Sequence, residues 1–167
     1  MSRALTQVWK VVVAAKARAK ERLEADLAEA RRHHEALLGA LEEAKALEGQ
    51  AQAKQLAHEE KIARMLADPR GLAPTAYLDY DLYRAPLAQA IDEARAGVRR
   101  ASDATDEQAR EVARLGVSVR RADAALDAAR EQLKKTIAAA QRRADERNDD
   151  EAGETAAARM RRGGNHA

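Results

Sequence analysis

The amino-acid sequence predicts an all-α protein that folds as a long two-helix antiparallel coiled-coil hairpin. Ala, Glu, Lys, Leu and Arg supply 104 of its 167 residues, a composition typical of long helices and coiled coils. Leu, Ile and Val number only 27 and Phe is absent, which is too few large apolar side chains for a compact globular core. The 30 basic and 28 acidic residues nearly cancel, so this shortage does not indicate a disordered chain.

The same composition excludes several classes of protein. A β-sandwich, a doubly wound sheet and a compact enzyme with a buried pocket all need more large apolar residues. The absence of Cys excludes a disulfide scaffold and a zinc–cysteine site. No nucleophile–base pair, phosphate-binding loop or metal-ligand spacing is present, so we expect no enzymatic activity and no cofactor. His33, His58 and His166 have no partner at ligand spacing, and we expect no metal site.

The first helix is predicted over about residues 3–67. Its apolar residues recur at steps of three and four, as in a coiled-coil seam, with one stutter of two four-residue steps between Ala19 and Leu27. Beyond Leu47 the pattern drifts. The expected seam residues are Leu5, Val8, Val12, Ala15, Ala19, Leu23, Leu27, Ala30, His34, Leu37, Leu41, Ala44, Leu56, Ile62, Met65 and Leu66. Trp9 fits either the seam or an exposed anchor.

A single interior loop is predicted over about residues 68–75, where Pro and Gly cluster. Pro69 disfavours helical geometry at Asp68, which ends the first helix, and Thr75 is a reasonable N-cap for the second. Such a short loop forces the two helices to be antiparallel neighbours.

The second helix is predicted over about residues 76–147 and has the clearest heptad pattern. Thirteen of its sixteen a and d positions are apolar, which makes a sustained seam. The a positions are Ile91, Val98, Thr105, Val112, Val119, Leu126, Leu133 and Ala140. The d positions are Leu87, Ala94, Ala101, Gln108, Leu115, Ala122, Ala129 and Thr136. Residues 1–147 therefore form one hairpin domain, and residues 148–167, which lack the seam, are expected to be a flexible tail.

Pro86 interrupts the second helix near its start. Proline loses a backbone hydrogen bond and clashes with the preceding turn. The helix therefore either kinks near Leu82 or begins at about Ala85 with Pro86 in its first turn.

Three tyrosines, Tyr77, Tyr80 and Tyr83, lie just after the loop at steps of three. They either cap the open end of the hairpin core or form an aromatic recognition surface, since Tyr is favoured at interface hot spots. Both can hold together.

This segment resembles the one that follows the hairpin loop in the FliJ/YscO family, the central stalk proteins of type III secretion and flagellar export. The length, the hairpin, the single loop and the ragged basic C-terminus agree with that family, while Pro86 departs from its pattern. The matching positions are Tyr77, Leu78, Tyr80, Tyr83, Leu87, Ala90 and Ile91, and Asp79 stands where that family has Asn.

The resemblance implies a central stalk that enters the pore of the hexameric export ATPase with its paired termini, as the γ subunit does in rotary ATPases. It also implies contact between the loop end and the export gate, with secretion chaperones as further candidate partners. The implied gate-binding residues are Ala53, Leu56, Tyr77, Tyr80, Tyr83, Leu87, Ala90 and Ala94. The Arg- and Ala-rich composition suggests a GC-rich genome, which favours an Hrp-type system of plant-associated bacteria over the flagellar branch.

The residues themselves add a basic surface at the terminal end. Local positive charge favours an acidic partner and speeds association at low salt, although a solvated basic face would have the same composition. The expected ATPase-binding residues are Arg3, Lys10, Lys16, Arg18, Lys20, Lys134, Lys135, Arg142 and Arg143.

Two other functions remain open from the sequence. A generic coiled-coil scaffold or chaperone for another partner has the same seam. A nucleic-acid binder is disfavoured, because charges of both signs interleave and aromatics do not alternate with the basic residues. No apolar run is long enough for a signal peptide or a membrane span, so we expect a cytoplasmic protein at the base of the secretion apparatus, without membrane insertion.

Overall fold

A computed structural model describes residues 2–164, and these residues are almost entirely helical, with no strand among them. The helices are α1 (Ser2–Leu66), α2 (Pro74–Leu82) and α3 (Arg84–Gly163). The prediction of an all-α helical hairpin is confirmed: α1 forms one long arm, and α2 and α3 form the other, bent arm. Residues 165–167 of the expected tail, which include His166, lie outside the described residues.

The chain divides into two compact units. The terminal unit comprises Met1–Ala25 and Gly116–Ala167, and the loop unit comprises Asp26–Leu115. In the loop unit, Glu59 pairs with Arg84 and Glu48 with Arg95, so α1 and α3 run antiparallel there.

The loop is shorter than expected and spans residues 67–73. The backbone N–H of Arg70 donates to Asp68 Oδ1 at 2.9 Å, and that of Gly71 donates to the Asp68 carbonyl at 3.0 Å. Gly71 closes this turn with φ of 76°, a conformation that glycine adopts without strain. The N-cap of α2 is Ala73, which forms no side-chain cap, and helix formation begins at Pro74, so Thr75 is not the N-cap.

Pro86 lies in the first turn of α3, which begins at Arg84. Proline has no N–H to donate to the carbonyl four residues earlier, so α2 ends at Leu82 and the chain bends at Tyr83. The N–H of Leu87 then donates to the Tyr83 carbonyl at 3.1 Å. Of the two expectations for Pro86, the second is therefore the correct one.

The heptad seam predicted for the second helix is confirmed within each unit. None of its sixteen a and d positions is exposed, and Ile91, Leu115 and Leu126 are buried. Thr105 is buried as well, and its hydroxyl donates to the Ala101 carbonyl at 2.7 Å. A polar seam position is thus tolerated because its hydroxyl has an acceptor within its own helix.

The seam of α1 in the loop unit differs from the predicted one at its far end. Glu48, Gln55 and His58 are half-buried at heptad steps, whereas Leu47 and Leu56 are exposed. The buried and half-buried seam residues are Leu27, Ala30, His34, Leu37, Leu41, Ala44, Glu48, Ala51, Gln55, His58, Ile62 and Met65. The drift predicted beyond Leu47 is therefore wrong, because polar side chains continue the seam.

In the terminal unit the seam of α1 agrees with the predicted one only in part. Leu5, Val8 and Ala15 of the predicted seam are exposed, whereas Val12, Ala19 and Leu23 are half-buried. The half-buried positions are Thr6, Trp9, Val12, Val13, Ala17, Ala19, Lys20 and Leu23. Trp9 therefore belongs to the seam, and the residues of the predicted stutter, Ala19, Leu23 and Leu27, are all covered.

Helix α3 continues to Gly163, whereas we expected it to end at about residue 147. All residues from Asp145 to Gly164 are exposed, so this last part of the helix has no packed partner. The flexibility expected of residues 148–167 stays a prediction.

Candidate functional site

Arg84 joins the three helices of the loop unit. Its guanidinium donates to both carboxylate oxygens of Glu59 in α1, at 2.9 and 3.0 Å, and to Asp81 in α2 at 3.1 Å. The hydroxyl of Tyr77 lies 3.3 Å from Arg84 Nη1. The hydrogen bond with Glu59 raises the pKa of Arg84 further above its usual range. A two-point arginine–carboxylate contact fixes direction as well as distance, so the bend between α2 and α3 has one preferred geometry.

His58 is the second link between α1 and α2, and sequence reasoning assigned it no role. Its Nε2 donates to the Tyr80 carbonyl oxygen at 2.8 Å. Its ring also lies 5.9 Å from that of Tyr80 and 6.1 Å, edge-on, from that of Tyr83. Lys61 Nζ lies over the Tyr80 ring at 5.1 Å. The sequence signal was available, since His58 falls on a heptad position opposite the tyrosines.

The three tyrosines have different surroundings. Tyr77 and Tyr80 are half-buried. Tyr77 contacts Arg84, and Tyr80 contacts His58 and Lys61, as expected of residues that cap the end of the hairpin core. Tyr83 is 62% exposed and lies at the bend. Only Tyr83 therefore presents most of its ring to solvent, as a recognition residue must.

All eight expected gate-binding residues lie in the loop unit, and the structure separates them into two groups. The exposed ones are Ala53, Leu56, Tyr83 and Ala90, and the half-buried ones are Tyr77, Tyr80, Leu87 and Ala94. Leu87 and Ala94 occupy seam positions. Leu78 and Leu82, which sequence reasoning left unassigned, are exposed on α2, Leu82 by 72%. The accessible apolar surface is thus formed by the bend and the outer side of α2.

All nine expected ATPase-binding residues lie in the terminal unit, and eight of them are exposed. These are Arg3, Lys10, Lys16, Arg18, Lys134, Lys135, Arg142 and Arg143. Residues 1–20 and 132–144 contain no Asp or Glu. Leu5 from the first segment lines one groove of about 200 Å³ with Lys135 and Arg143 from the second, so the two acid-free segments are neighbours.

Lys20 differs from the other eight basic residues because it is half-buried and paired. Its Nζ lies 2.8 Å from Asp123 Oδ1 and 3.6 Å from Glu24 Oε1. The hydrogen bond raises the pKa of Lys20 and lowers the pKa of Asp123. Lys20 therefore joins α1 to α3 in the terminal unit, and its charge is already matched within the chain.

A polar layer crosses the loop unit close to its limits at Asp26 and Leu115. The side-chain amide of Gln108 donates to the Ala30 carbonyl at 3.1 Å, and the hydroxyl of Thr105 lies 3.4 Å from the Leu37 carbonyl. An open groove of about 560 Å³ runs beside it, lined by His33 and Arg114 among others. None of the expected ATPase-binding or gate-binding residues lines this groove.

Two further findings concern residues 2–164. No group of three or more His, Asp or Glu side chains is placed to hold a metal ion. No helix in this part of the chain is both long and apolar enough to cross a membrane.

Comparison with known proteins identifies one family. Residues 4–160 match the model of the family described as bacterial type III secretion protein (HrpB7). The match covers nearly the whole chain and includes both units. No curated protein and no solved structure matches the chain.

Proposed function

The chain belongs to the HrpB7 family of bacterial type III secretion proteins, and we propose that it is the central stalk of such a secretion system. In this proposal the terminal unit binds the pore of the hexameric export ATPase, and the loop unit contacts the export gate. The stalk thereby couples the ATPase to the gate during protein secretion.

The observation that carries the ATPase contact is the pair of neighbouring acid-free segments in the terminal unit. Eight exposed cations lie on them, and within residues 2–164 none of the eight forms an ion pair within the chain. Since their charges are not matched internally, they are available to acidic loops of a partner. Such complementarity speeds association and orients the partner more than it adds affinity.

The gate contact is supported by the bend at Tyr83. Its ring is exposed on a segment that Arg84 and His58 hold to α1. An aromatic side chain on a rigid support loses little conformational entropy on binding, which is the usual property of an interface anchor. The exposed Leu78 and Leu82 enlarge the same apolar surface.

The experiment that tests this function is binding of the purified chain to the export ATPase of its own secretion system. Titration at about 0.05 M and at about 0.3 M salt separates electrostatic from apolar contributions, because salt screens exposed charges. We expect binding at both concentrations, with clearly lower affinity at the higher one. Absence of binding at low salt would contradict the stalk function.

A further inference from the structure

The first turns of α1 carry two neighbouring seams. The inner seam contains the half-buried Thr6, Trp9, Val13, Lys20 and Leu23. The outer seam contains the exposed Leu5, Val8, Val11 and Ala15, which also follow steps of three and four. A sustained heptad step is the pattern by which one helix packs against another. One helix with two seams is therefore suited to contact two other helices.

The outer seam is exposed in this structure. Leu5 is 51% exposed, Val8 is 55% exposed and Val11 is 56% exposed, and Ala15 is exposed as well. Leu5 lines the groove described above together with the half-buried Ala139 and Ala140 of α3, so the outer seam borders α3 there. This gives a channel between two helices, into which a third helix can place its side chains.

The edges of this channel are positively charged. Lys135 and Arg143 line the groove, and Lys16 and Arg18 lie exposed on the same turns of α1 as the outer seam. Because residues 1–20 and 132–144 contain no acidic residue, nothing in these two segments neutralises those cations. In coiled coils the charges that flank a seam select the partner helix.

We propose that the outer seam binds a single amphipathic helix of another protein, with Leu or Ile at heptad spacing and Asp or Glu at the flanking positions. The terminal unit then forms a three-helix coiled coil. This proposal deepens the proposed function by naming the chemistry of the partner at the ATPase-binding end. It rests on the proposed function in one respect, namely that the partner is a component of the secretion apparatus.

A second copy of this chain fits the outer seam poorly. Two copies joined through the same seam would bring their cations together, and like charges at a seam are repulsive. The acid-rich segment of this chain, residues 145–154, is exposed, but residues 145–163 contain no Leu, Ile, Val or aromatic residue. That segment has the required charge without the apolar side chains that the outer seam needs.

The test uses a synthetic four-heptad peptide with Leu at a and d and Glu at e and g, and a second peptide with Lys in place of Glu. Fluorescence anisotropy measures their binding to the full chain. We expect the acidic peptide to bind and the basic one not to. Val8→Ser combined with Val11→Ser is expected to weaken binding of the acidic peptide at least tenfold. Leu47→Ser, which changes an exposed leucine of the loop unit, is the matched control and is expected to leave binding unchanged.

Four outcomes would overturn the proposal. The acidic peptide does not bind, or it binds the Val8→Ser, Val11→Ser variant as tightly as it binds the original chain. Alternatively, the original chain sediments as a dimer that the double variant abolishes, which assigns the outer seam to a second copy. Finally, the chain binds phosphatidylglycerol vesicles through Val8 and Val11 but does not bind the peptide, which assigns the outer seam to a membrane surface.

Binding to the ATPase, measured on the same samples, keeps this inference separate from the proposed function. If the ATPase binds and the acidic peptide does not, the inference fails and the stalk function stands. If the peptide binds and the ATPase does not, the stalk function fails and the helix-binding seam stands.

Discussion

The Nε2 atom of His58 donates a hydrogen bond to the carbonyl oxygen of Tyr80 at 2.8 Å, so a side chain of α1 caps the C-terminal end of α2. The same carbonyl accepts from the N–H of Tyr83 at 3.2 Å. A helix end leaves carbonyl groups without intrahelical donors, and here one is satisfied from across the hairpin. The break between α2 and α3 and the position of His58 are therefore linked, because the Tyr80 carbonyl at that break accepts a hydrogen bond from His58.

Replacing His58 with Ala is expected to lower the free energy of unfolding by about 1–2 kcal/mol, because the half-buried Tyr80 carbonyl loses a donor. Urea unfolding followed by circular dichroism measures the loss. His33→Ala is the control, since His33 is exposed and takes no part in this contact. Equal stability of the two variants would show that the contact contributes nothing.

Tyr83→Ala is expected to keep the helicity and the melting temperature while losing affinity for the cytoplasmic domain of the export gate. The ring is mostly exposed, so little packing is removed. Leu87→Ala, at a half-buried seam position, is expected to cost about 1–2 kcal/mol of stability instead. If Tyr83→Ala destabilises the protein and each folded molecule still binds the gate domain, Tyr83 is a packing residue.

Lys10→Glu together with Lys16→Glu is expected to weaken ATPase binding and to flatten its salt dependence, because both residues are exposed and their charges are unmatched. Lys20 is left unchanged, since reversing its charge would break the pair with Asp123 and disturb the fold. Lys54→Glu makes the same kind of charge change in the loop unit and serves as the control. The electrostatic account fails if the double variant binds like the control at every salt concentration.

The Lys20–Asp123 pair predicts a specific loss of stability in acid. Its hydrogen bond lowers the pKa of Asp123 below the ordinary value of 3.8. The folded state therefore holds the carboxylate more strongly than the unfolded state does, and this stabilisation is complete above pH 3.8. It disappears as the pH falls through the lowered pKa.

Asp123→Asn removes this contribution, so its stability is expected to be below that of the original chain at neutral pH, and the difference is expected to shrink below pH 3.8. Both residues are partly exposed, so the effect is small and is reduced by salt. Urea unfolding at several pH values measures it. A difference that stays constant down to acid pH would show that the asparagine acts by other means than charge.

The sequence was sufficient for the fold class and for the seam of α3. Those positions are apolar at nearly every heptad step, so composition and period agree. The seam of α1 was harder to predict. Near the N-terminus, Leu5 and Val8 are more hydrophobic than Thr6 and Lys20, yet the latter are half-buried. Where two stripes lie side by side, hydrophobicity alone does not identify the one that the partner helix covers.

The details of the loop unit depend on contacts between residues distant in the chain. His58 and Tyr80 are separated by 22 positions, and Glu59 and Arg84 by 25. The sequence indicates that an aromatic cluster faces α1, but it does not indicate which tyrosine stays exposed. The predicted helix end at about residue 147 is wrong for a different reason, because a helix can continue after its seam ends. Ala, Arg and Glu have high helix propensity and favour helix formation there without a partner.

In the proposed function, one chain connects the export ATPase to the export gate through two separate surfaces. The most direct test of this function is sedimentation of the chain mixed with the ATPase and the cytoplasmic domain of the gate. We expect one complex that contains all three proteins. Tyr83→Ala is expected to leave only the complex with the ATPase, and Lys10→Glu with Lys16→Glu only the complex with the gate. Competition of the two partners for the chain, or loss of the same partner in both variants, would contradict the proposed function.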